Sequence, residues 1–243
     1  MLRLPPLEIL RDELSEVRLT QQAKAELEKD NALRTEGIHA SGLLDPLLTF
    51  WRTIQPEEMT EKQIWLFTIG KVLHHIVLTA GSDLPVVGSD SGTHEEQGVF
   101  FSPDGEINSF PVELKTNRSP KEPAPSRLQE DYHNYLEQLC IYMVLKNVLV
   151  GYLWVLFISL KDERNRTWPE PRCYRVTMTD EQFYDVEQQI FAMRDALKDA
   201  LDTKNPSALP LCRAWLCGEG TCTYWTRCQP EGRYGRAKRD WSH

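Results

Sequence analysis

The segment FPVELKTNR, residues Phe110–Arg118, decides the fold because apolar and charged residues alternate along it. Val112 and Leu114 alternate with Glu113 and Lys115, and alternation by two is the pattern of a β-strand. In a strand, this spacing predicts one apolar, buried face and one wet face that carries a carboxylate beside an ammonium. Half-exposed strands often carry such charges, so the rest of the sequence has to decide whether this pair does chemistry.

Length and composition predict a soluble globular protein. The chain has 243 residues, of which 41% are hydrophobic and 26% charged, which suffices for one large domain with small additions. Its net charge of −8 argues against nucleic-acid binding by the surface as a whole but allows a local basic groove. The longest apolar run, residues 148–160, is too short to cross a bilayer. With no secretory signal at the start of the chain, we expect a cytoplasmic protein that does not associate with membranes.

Helical and strand periodicities alternate along the chain and predict an α/β fold with a mixed sheet flanked by helices. The predicted helices are 7–30, 41–52, 60–79, 127–146 and 180–204, and the predicted buried strands are 149–160 and 172–178.

A hairpin is predicted immediately before the opening segment. Asp104 and Gly105 are a strong turn signal between two strand-like runs, and counting outward from them places Glu96 opposite Glu113. Two opposed carboxylates repel each other unless a cation lies between them, and Mg²⁺ takes oxygen ligands of this kind. A register shift of one residue would place Glu95 or Gln97 there instead.

Two pairs spaced by four residues lie on helix faces. Gly70 and His74 share one face of the helix 60–79, where His74 is a candidate metal ligand or phosphate contact. Gln138 and Tyr142 share a face of the helix that follows the hairpin. Each pair also has an ordinary explanation, namely a surface or core histidine and the polar edge of a buried helix.

Taken in order, these motifs resemble the PD-(D/E)xK nuclease superfamily, and within it the RecB-like exonucleases. The resemblance implies a restriction-endonuclease-like sheet and a Mg²⁺- or Mn²⁺-dependent deoxyribonuclease that acts on DNA, single-stranded or with free ends. It implies catalytic or bracing roles for Glu113, Lys115, Gln138 and Tyr142, and metal ligation by His74, Glu96 and Glu113. The family aspartate is missing where the predicted hairpin would put it, since Glu95, Glu96 or Gln97 stands there.

Four cysteines, Cys212, Cys217, Cys222 and Cys228, fall within seventeen residues near the C-terminus. In a chain without a secretory signal, such clustering favours a metal centre over disulfides, and four thiolates suit an iron–sulfur cluster or a zinc ion. A resemblance to the iron–sulfur subset of the family, the AddB-type and CRISPR-associated enzymes, favours a [4Fe–4S] cluster, with structural Zn²⁺ as the alternative. That subset has an upstream cysteine where this chain has Asp45, so Cys212 is predicted to be the fourth ligand.

The predicted organisation is an N-terminal amphipathic helical extension (1–35), a RecB-like nuclease domain (36–205) and a cysteine-rich metal-cluster tail packed on it (206–243). We expect a single-strand-preferring DNA exonuclease of repair, recombination or CRISPR adaptation, with a protein partner in such a complex as a further expectation. The alternative is a catalytically degraded, nuclease-like module that binds DNA or protein.

Overall fold

A computed structural model describes residues 17, 20–25, 27, 36–79, 86–87, 94–161, 164–212 and 222–228. The chain forms two units, residues 1–34 with 58–72 and residues 35–57 with 73–243. In the smaller unit, the Lys24 ammonium pairs with the Glu58 carboxylate at 3.0 Å. The larger unit contains all the described strands. The predicted division at residues 35 and 205 stays a prediction.

The strands of the larger unit form two sheets. They are β1 (Ile38–His39), β2 (Val86–Val87), β3 (His94–Glu96), β4 (Val99–Phe101), β5 (Gly105–Ile107), β6 (Phe110–Asn117), β7 (Val150–Lys161) and β8 (Thr167–Thr177). One sheet has three strands in the order β1-β4-β3, and the other has five in the order β2-β5-β6-β7-β8. Strand β6 pairs in parallel with β7 and antiparallel with β5, so the larger sheet is mixed, as predicted.

Helices lie between and after these strands. They are α1 (Ala40–Leu43), α2 (Pro46–Ile54), α3 (Glu61–Thr79), α4 (Leu128–Asp131), α5 (His133–Leu145), α6 (Asp180–Thr203) and α7 (Trp225–Cys228). Helix α6 begins with a capping box, in which the Thr179 hydroxyl accepts from the Gln182 backbone N–H and the Gln182 side chain accepts from the Thr179 backbone N–H. Helix α5 connects β6 to β7 and packs on both strands. The predicted fold class, a mixed sheet flanked by helices, is confirmed.

One face of the larger sheet is covered by α5. A Cβ atom on Gly151 of β7 would meet the side chains of Leu139 and Met143 of α5, so Gly151 faces this helix. Alternation along β7 turns Leu153, Val155 and Phe157 the same way, and all three are buried in the core. The absence of a side chain at Gly151 therefore allows helix and strand to approach closely.

The predicted hairpin around Asp104 and Gly105 is wrong, because two shorter hairpins replace it. The first joins β3 to β4 through Gln97 and Gly98, and the second joins β5 to β6 through Asn108 and Ser109. All four turn residues have positive φ angles, which two-residue hairpin turns of the commonest kind require. Asp104 lies just before β5 instead.

Other boundaries differ by smaller amounts. The predicted helix 127–146 is interrupted near its start, where a 3₁₀ turn (Pro125–Arg127) precedes α4 and α5. Strand β8 begins five residues earlier than predicted, at Thr167, because it continues to pair with β7 beyond the end of β6. The predicted helix 7–30 lies mostly outside the described residues. The part of it that is described, residues 17, 20–25 and 27, is helical. Within the described part of the chain, no helix is both long and apolar enough to cross a membrane.

The close packing at Gly151 generates a stability prediction. Gly151→Ala should lower the free energy of unfolding by about 1–3 kcal/mol, because the new methyl group would lie 2.9 Å from Leu139 and 3.0 Å from Met143. Urea denaturation followed by circular dichroism measures the loss. Gly70→Ala is the matched control, since nothing lies within 4 Å of its added Cβ in α3 and alanine favours the helix. Equal stability of the Gly151 variant and the wild type would contradict the packing of α5 on β7.

Candidate active site

Glu113 is the one charged residue among the fully buried side chains of the described residues, with an exposure of 0%. Its register partner on β7 is Leu153, and paired residues of adjacent strands point to the same face of a sheet. Glu113 therefore points toward α5 with the core residues, and the neighbouring Val112 and Leu114 are buried on the opposite face. The prediction that Glu113 lies on a wet face is wrong, because β6 is an inner strand whose two faces are both covered.

Lys115 is the nearest cation to Glu113. Its ammonium forms an ion pair with Oε1 of Glu113, and its side chain remains 25% exposed. Among the described residues, no hydrogen-bond donor satisfies Oε2 of Glu113. A buried carboxyl oxygen without a partner is costly, so this position requires either a proton or a second cation.

Asp104 supplies a second carboxylate to the same site. It precedes β5, and its Oδ2 accepts a hydrogen bond from the backbone N–H of Leu114 at 2.7 Å. This bond fixes the Asp104 side chain beside β6, between the positions of Glu113 and Lys115. The two carboxyl groups are close enough to affect each other, since Asp104 contributes to the raised pKa of Glu113.

Burial dominates the electrostatics of the pair. Loss of solvent is the largest cause that raises the pKa of Glu113 to about 8; the Lys115 ammonium lowers this pKa and the Asp104 carboxylate raises it by smaller amounts. Burial alone would lower the pKa of Lys115, but the charges of Glu113 and Asp104 raise it overall. Burial thus disfavours the ionised form of Glu113, and a bound cation would favour it.

Helix α5 presents a polar edge to this site. Tyr135, Gln138 and Tyr142 are spaced by three and four residues and so share a helix face. The Gln138 side-chain amide donates to the Tyr142 hydroxyl at 2.7 Å, and Tyr142 is buried. Tyr135 contributes, after burial and the two carboxylates, to the raised pKa of Lys115. The structure thus pairs the predicted Gln138 and Tyr142 with each other, and their catalytic or bracing role stays a prediction.

The other predicted acid is not in the site. Glu96 pairs with Val99 in the three-stranded sheet and its side chain is exposed, whereas Glu113 belongs to the five-stranded sheet. The placement of Glu96 opposite Glu113 depended on the wrong turn and is itself wrong. His74 lies in α3, but its side chain lies outside the described residues, so its metal ligation stays a prediction.

Asp104 is the candidate site residue that the sequence analysis did not name. It follows Pro103 and stands nine residues before Glu113 of the pair Glu113-x-Lys115, which is the order of the motif in the name of the PD-(D/E)xK superfamily that the sequence resembles. The signal was present, but an Asp-Gly dipeptide is also a strong hairpin signal, and that interpretation used Asp104 as a turn residue.

The residues of this site fit a hard divalent cation. Two carboxyl groups converge on β6, and the unsatisfied Oε2 of Glu113 is an oxygen ligand of the kind that Mg²⁺ and Mn²⁺ prefer. Within the described ranges, no group of three His, Cys, Asp or Glu side chains gathers around one point. Glu113 and Asp104 would therefore hold the ion together with water or backbone carbonyl oxygens.

The described part of the cysteine-rich tail belongs to the larger unit and contacts the segment that follows α2. The Tyr224 hydroxyl donates to the Gln55 carbonyl at 3.1 Å, and Arg227 pairs with Glu57 at 3.3 Å. Cys228 is buried in the core and Cys212 packs against it. None of the described cysteines forms a disulfide, and Cys217 lies outside the described residues.

Comparisons with solved structures agree with the fold. The crystal structure of SSO0001 is similar at a TM-score of 0.58 with 15% identity, covering 92% of this chain and 98% of that one. At this identity the similarity shows a shared fold and no more. No protein-family model matches the chain, and no curated protein matches it.

Two exonucleases are more distantly similar. The alkaline exonuclease LHK-Exo from Laribacter hongkongensis gives a TM-score of 0.41 with 13% identity, over 69% of this chain and 91% of that one. A phage-related exonuclease from Haemophilus somnus 129PT gives 0.44 with 12% identity, over 72% and 98%. At these scores the activity of the site has to be argued from its own residues.

The raised pKa of Glu113 predicts how stability depends on pH. Because the folded-state pKa lies above the unfolded value, Glu113 contributes stability below about pH 4.5 that is lost as the pH rises through about 8. The melting temperature of metal-free protein should therefore fall over this window more steeply in the wild type than in Glu113→Gln. Scanning fluorimetry across the window measures both slopes.

Added Mg²⁺ tests the same site. At the alkaline end of the window it should raise the melting temperature of the wild type and leave Glu113→Gln unchanged, because the ion replaces the proton on the carboxylate. Parallel pH slopes in the two proteins would exclude Glu113 as the titrating group. Equal Mg²⁺ shifts of the melting temperature would exclude Glu113 as a ligand of the ion.

Proposed function

We propose that this chain is a divalent-metal-dependent DNA nuclease, and specifically an exonuclease that prefers single strands. The observation that carries the proposal is the buried, incompletely satisfied carboxyl group of Glu113, held between the Lys115 ammonium and the Asp104 carboxylate on an inner strand. Burying such a group destabilises the fold unless the group is fully paired. Buried carboxyl groups with strongly shifted pKa values are concentrated at functional sites.

Glu113, Asp104 and Lys115 have separate roles in the proposed hydrolysis of a phosphodiester. Glu113 and Asp104 would hold Mg²⁺ or Mn²⁺, which when bound polarises the scissile phosphate and lowers the pKa of the attacking water. Lys115, fixed by its ion pair with Glu113 and partly exposed, positions that water or stabilises the negative charge that develops on the phosphate. The hydrogen bond from Leu114 to Asp104 fixes the second carboxylate before substrate arrives.

The polar face of α5 supports the same site. The bond between Gln138 and Tyr142 holds both side chains in one orientation, and Tyr135 lies on the same face near Lys115. We assign these groups to bracing the site and to contacting DNA. The alternative of a degraded, binding-only module was based on the imperfect aspartate position and on the acidic net charge. Asp104 offers a carboxylate that answers the first of these grounds.

Cleavage of end-labelled DNA tests the nuclease proposal. Glu113→Gln, Asp104→Asn and Lys115→Ala should each lower Mg²⁺-dependent degradation of single-stranded DNA by about 100-fold or more. Asp104→Asn keeps an oxygen that can accept from Leu114, so it separates the charge from the hydrogen bond. Melting curves of each variant exclude unfolding as the cause.

Glu96→Gln and Glu95→Gln are the matched controls, because both residues are exposed in the other sheet. They should keep wild-type activity. Near wild-type cleavage by Glu113→Gln, or loss in the Glu96 variant alone, would refute the assignment. Wild-type protein that degrades neither single- nor double-stranded DNA would leave the binding-module alternative.

We further propose that Cys212, Cys217, Cys222 and Cys228 bind one metal centre, a [4Fe–4S] cluster with Zn²⁺ as the alternative. Four thiolates suit either centre, and Cys212 and Cys228 both pack against the core of the larger unit. The contacts of Tyr224 and Arg227 with the segment after α2 hold the tail against the domain. Ligation would therefore contribute to the stability of the fold.

The cysteine proposal predicts linked losses. Cys212→Ser should lower both the metal content and the melting temperature, because ligation and folding are coupled. Cys173→Ser, on the exposed strand β8, and Asp45→Ala should change neither the metal content nor the spectrum. Elemental analysis and visible absorbance distinguish iron–sulfur from zinc. Full metal content in the Cys212 variant, or metal loss in the Asp45 variant, would refute this ligand set.

A further inference from the structure

The hairpin of β7 and β8 extends beyond the rest of its sheet. The last pair between β6 and β7 joins Asn117 to Phe157, yet β7 and β8 continue pairing to Leu160 with Trp168 and Lys161 with Thr167. We call residues 158–161 and 164–168 the distal hairpin. On its inner side, β7 stays attached to the segment that follows β6, since the Lys161 backbone N–H donates to the Pro120 carbonyl at 3.0 Å and the Ser159 hydroxyl donates to the Arg118 carbonyl at 2.6 Å. Leu160 packs against the core, whereas the first residues of the outer strand β8 are exposed and available for contacts.

Trp168 is the most conspicuous side chain of the distal hairpin. It is 55% exposed, although tryptophan is usually well buried, and the Arg166 guanidinium lies over its ring at 5.7 Å. The ordinary explanation is that Trp168 packs against its cross-strand partner Leu160 and stabilises the pairing of β7 with β8. That explanation does not account for an indole that stays largely in solvent beside a cation.

The sheet register places Trp168 on the same face as the candidate active site. Lys115 pairs with Val155 on β7, and Val155 pairs with Arg172 on β8. The pairing shifts register between Phe157 and Leu160, where β7 has two residues opposite one of β8. Trp168 is four residues from Arg172 along β8, so the alternation of β8 itself turns it to the same face, about 13 Å along the strand. A nucleic-acid strand that leaves the candidate active site along this face, in the direction in which β6 and β7 run, would reach the indole of Trp168.

The described charged residues of the distal hairpin are basic. They are Lys161, Arg164 and Arg166. Asp162 and Glu163 lie outside the described residues, and with three basic and two acidic residues the segment 158–168 carries a charge of +1 in a protein whose net charge is −8. Stacking aromatics beside basic side chains are the combination that binds single-stranded nucleic acid, since bases offer their faces and phosphates their charge.

We propose that the distal hairpin is a binding subsite for single-stranded DNA, in which Trp168 stacks on a base and Arg166 and Lys161 contact flanking phosphates. This inference rests on the proposed nuclease function and specifies its substrate. A duplex does not expose its base faces except at an end, so the subsite selects unpaired strands. The distance from Lys115 means that only a strand long enough to span the face engages it.

Binding as a function of oligonucleotide length tests the proposal. Fluorescence anisotropy with labelled oligothymidylates, from the dinucleotide upward, is measured on the full chain carrying Glu113→Gln to suppress hydrolysis. In that background, Trp168→Ala should weaken the binding of long oligomers about tenfold and leave the dinucleotide unaffected. Trp168→Phe should keep most of the affinity, because an aromatic ring can still stack. Tyr184→Ala removes an equally exposed aromatic residue of α6 and should have no effect.

The outcomes separate this inference from the proposed function. Unchanged affinity of Trp168→Ala at all lengths, an equal loss on the dinucleotide, or the same loss in Tyr184→Ala would overturn the subsite. Length-dependent loss in a protein that degrades no DNA with Glu113 intact would contradict the nuclease proposal and support the subsite. Absence of any oligonucleotide binding by the Glu113→Gln protein would overturn both.

Discussion

The ion pair of Glu113 and Lys115 on an inner strand is the constraint on which the site depends. A buried ion pair contributes little to the free energy of folding, because the loss of solvent around each charge offsets much of the attraction between them. Here the compensation is incomplete, since one oxygen of Glu113 has no donor among the described residues and a second carboxylate stands nearby. This incomplete compensation supports the proposal that the site binds a cation.

Backbone geometry sets the arrangement around that pair. The turn through Asn108 and Ser109 aligns β5 with β6, and it leaves Asp104 just ahead of β5, where its carboxylate reaches the N–H of Leu114. A turn at Asp104 itself would have directed this side chain into a loop. One hydrogen bond between a carboxylate and a strand N–H therefore links the hairpin register to the electrostatics of the site.

The larger sheet also connects distant parts of the unit. Its face toward α5 carries Glu113 and Lys115 on β6, core residues on β7, and Tyr174, Arg172 and Trp168 on β8. Near the middle of this face, Glu122 accepts hydrogen bonds from Arg172 at 2.6 Å and Tyr174 at 2.8 Å. The pairing of β6, β7 and β8 thus connects the candidate active site with the exposed indole, across one register shift between Phe157 and Leu160.

The sequence alone predicted the elements whose signals are local. The alternation in β6, the apolar run of β7 and the helical periodicity of residues 180–204 are short-range patterns, and they predicted the mixed α/β fold and the Glu113–Lys115 pair. The motif Pro103-Asp104 was equally visible, but its dipeptide Asp-Gly had a competing local interpretation as a turn.

Tertiary structure decided everything that depends on which segments meet. Alternation shows that Glu113 and Val112 point to opposite faces, but not that both faces are covered, because burial depends on α5 and on the neighbouring strands. Register likewise decided that Asp104 rather than Glu96 joins Glu113, since a shift of pairing costs nothing in local sequence preference and is fixed only by long-range contacts. The exposure of Trp168 likewise depends on which elements cover the outer strand β8, and the sequence around the tryptophan does not contain that information.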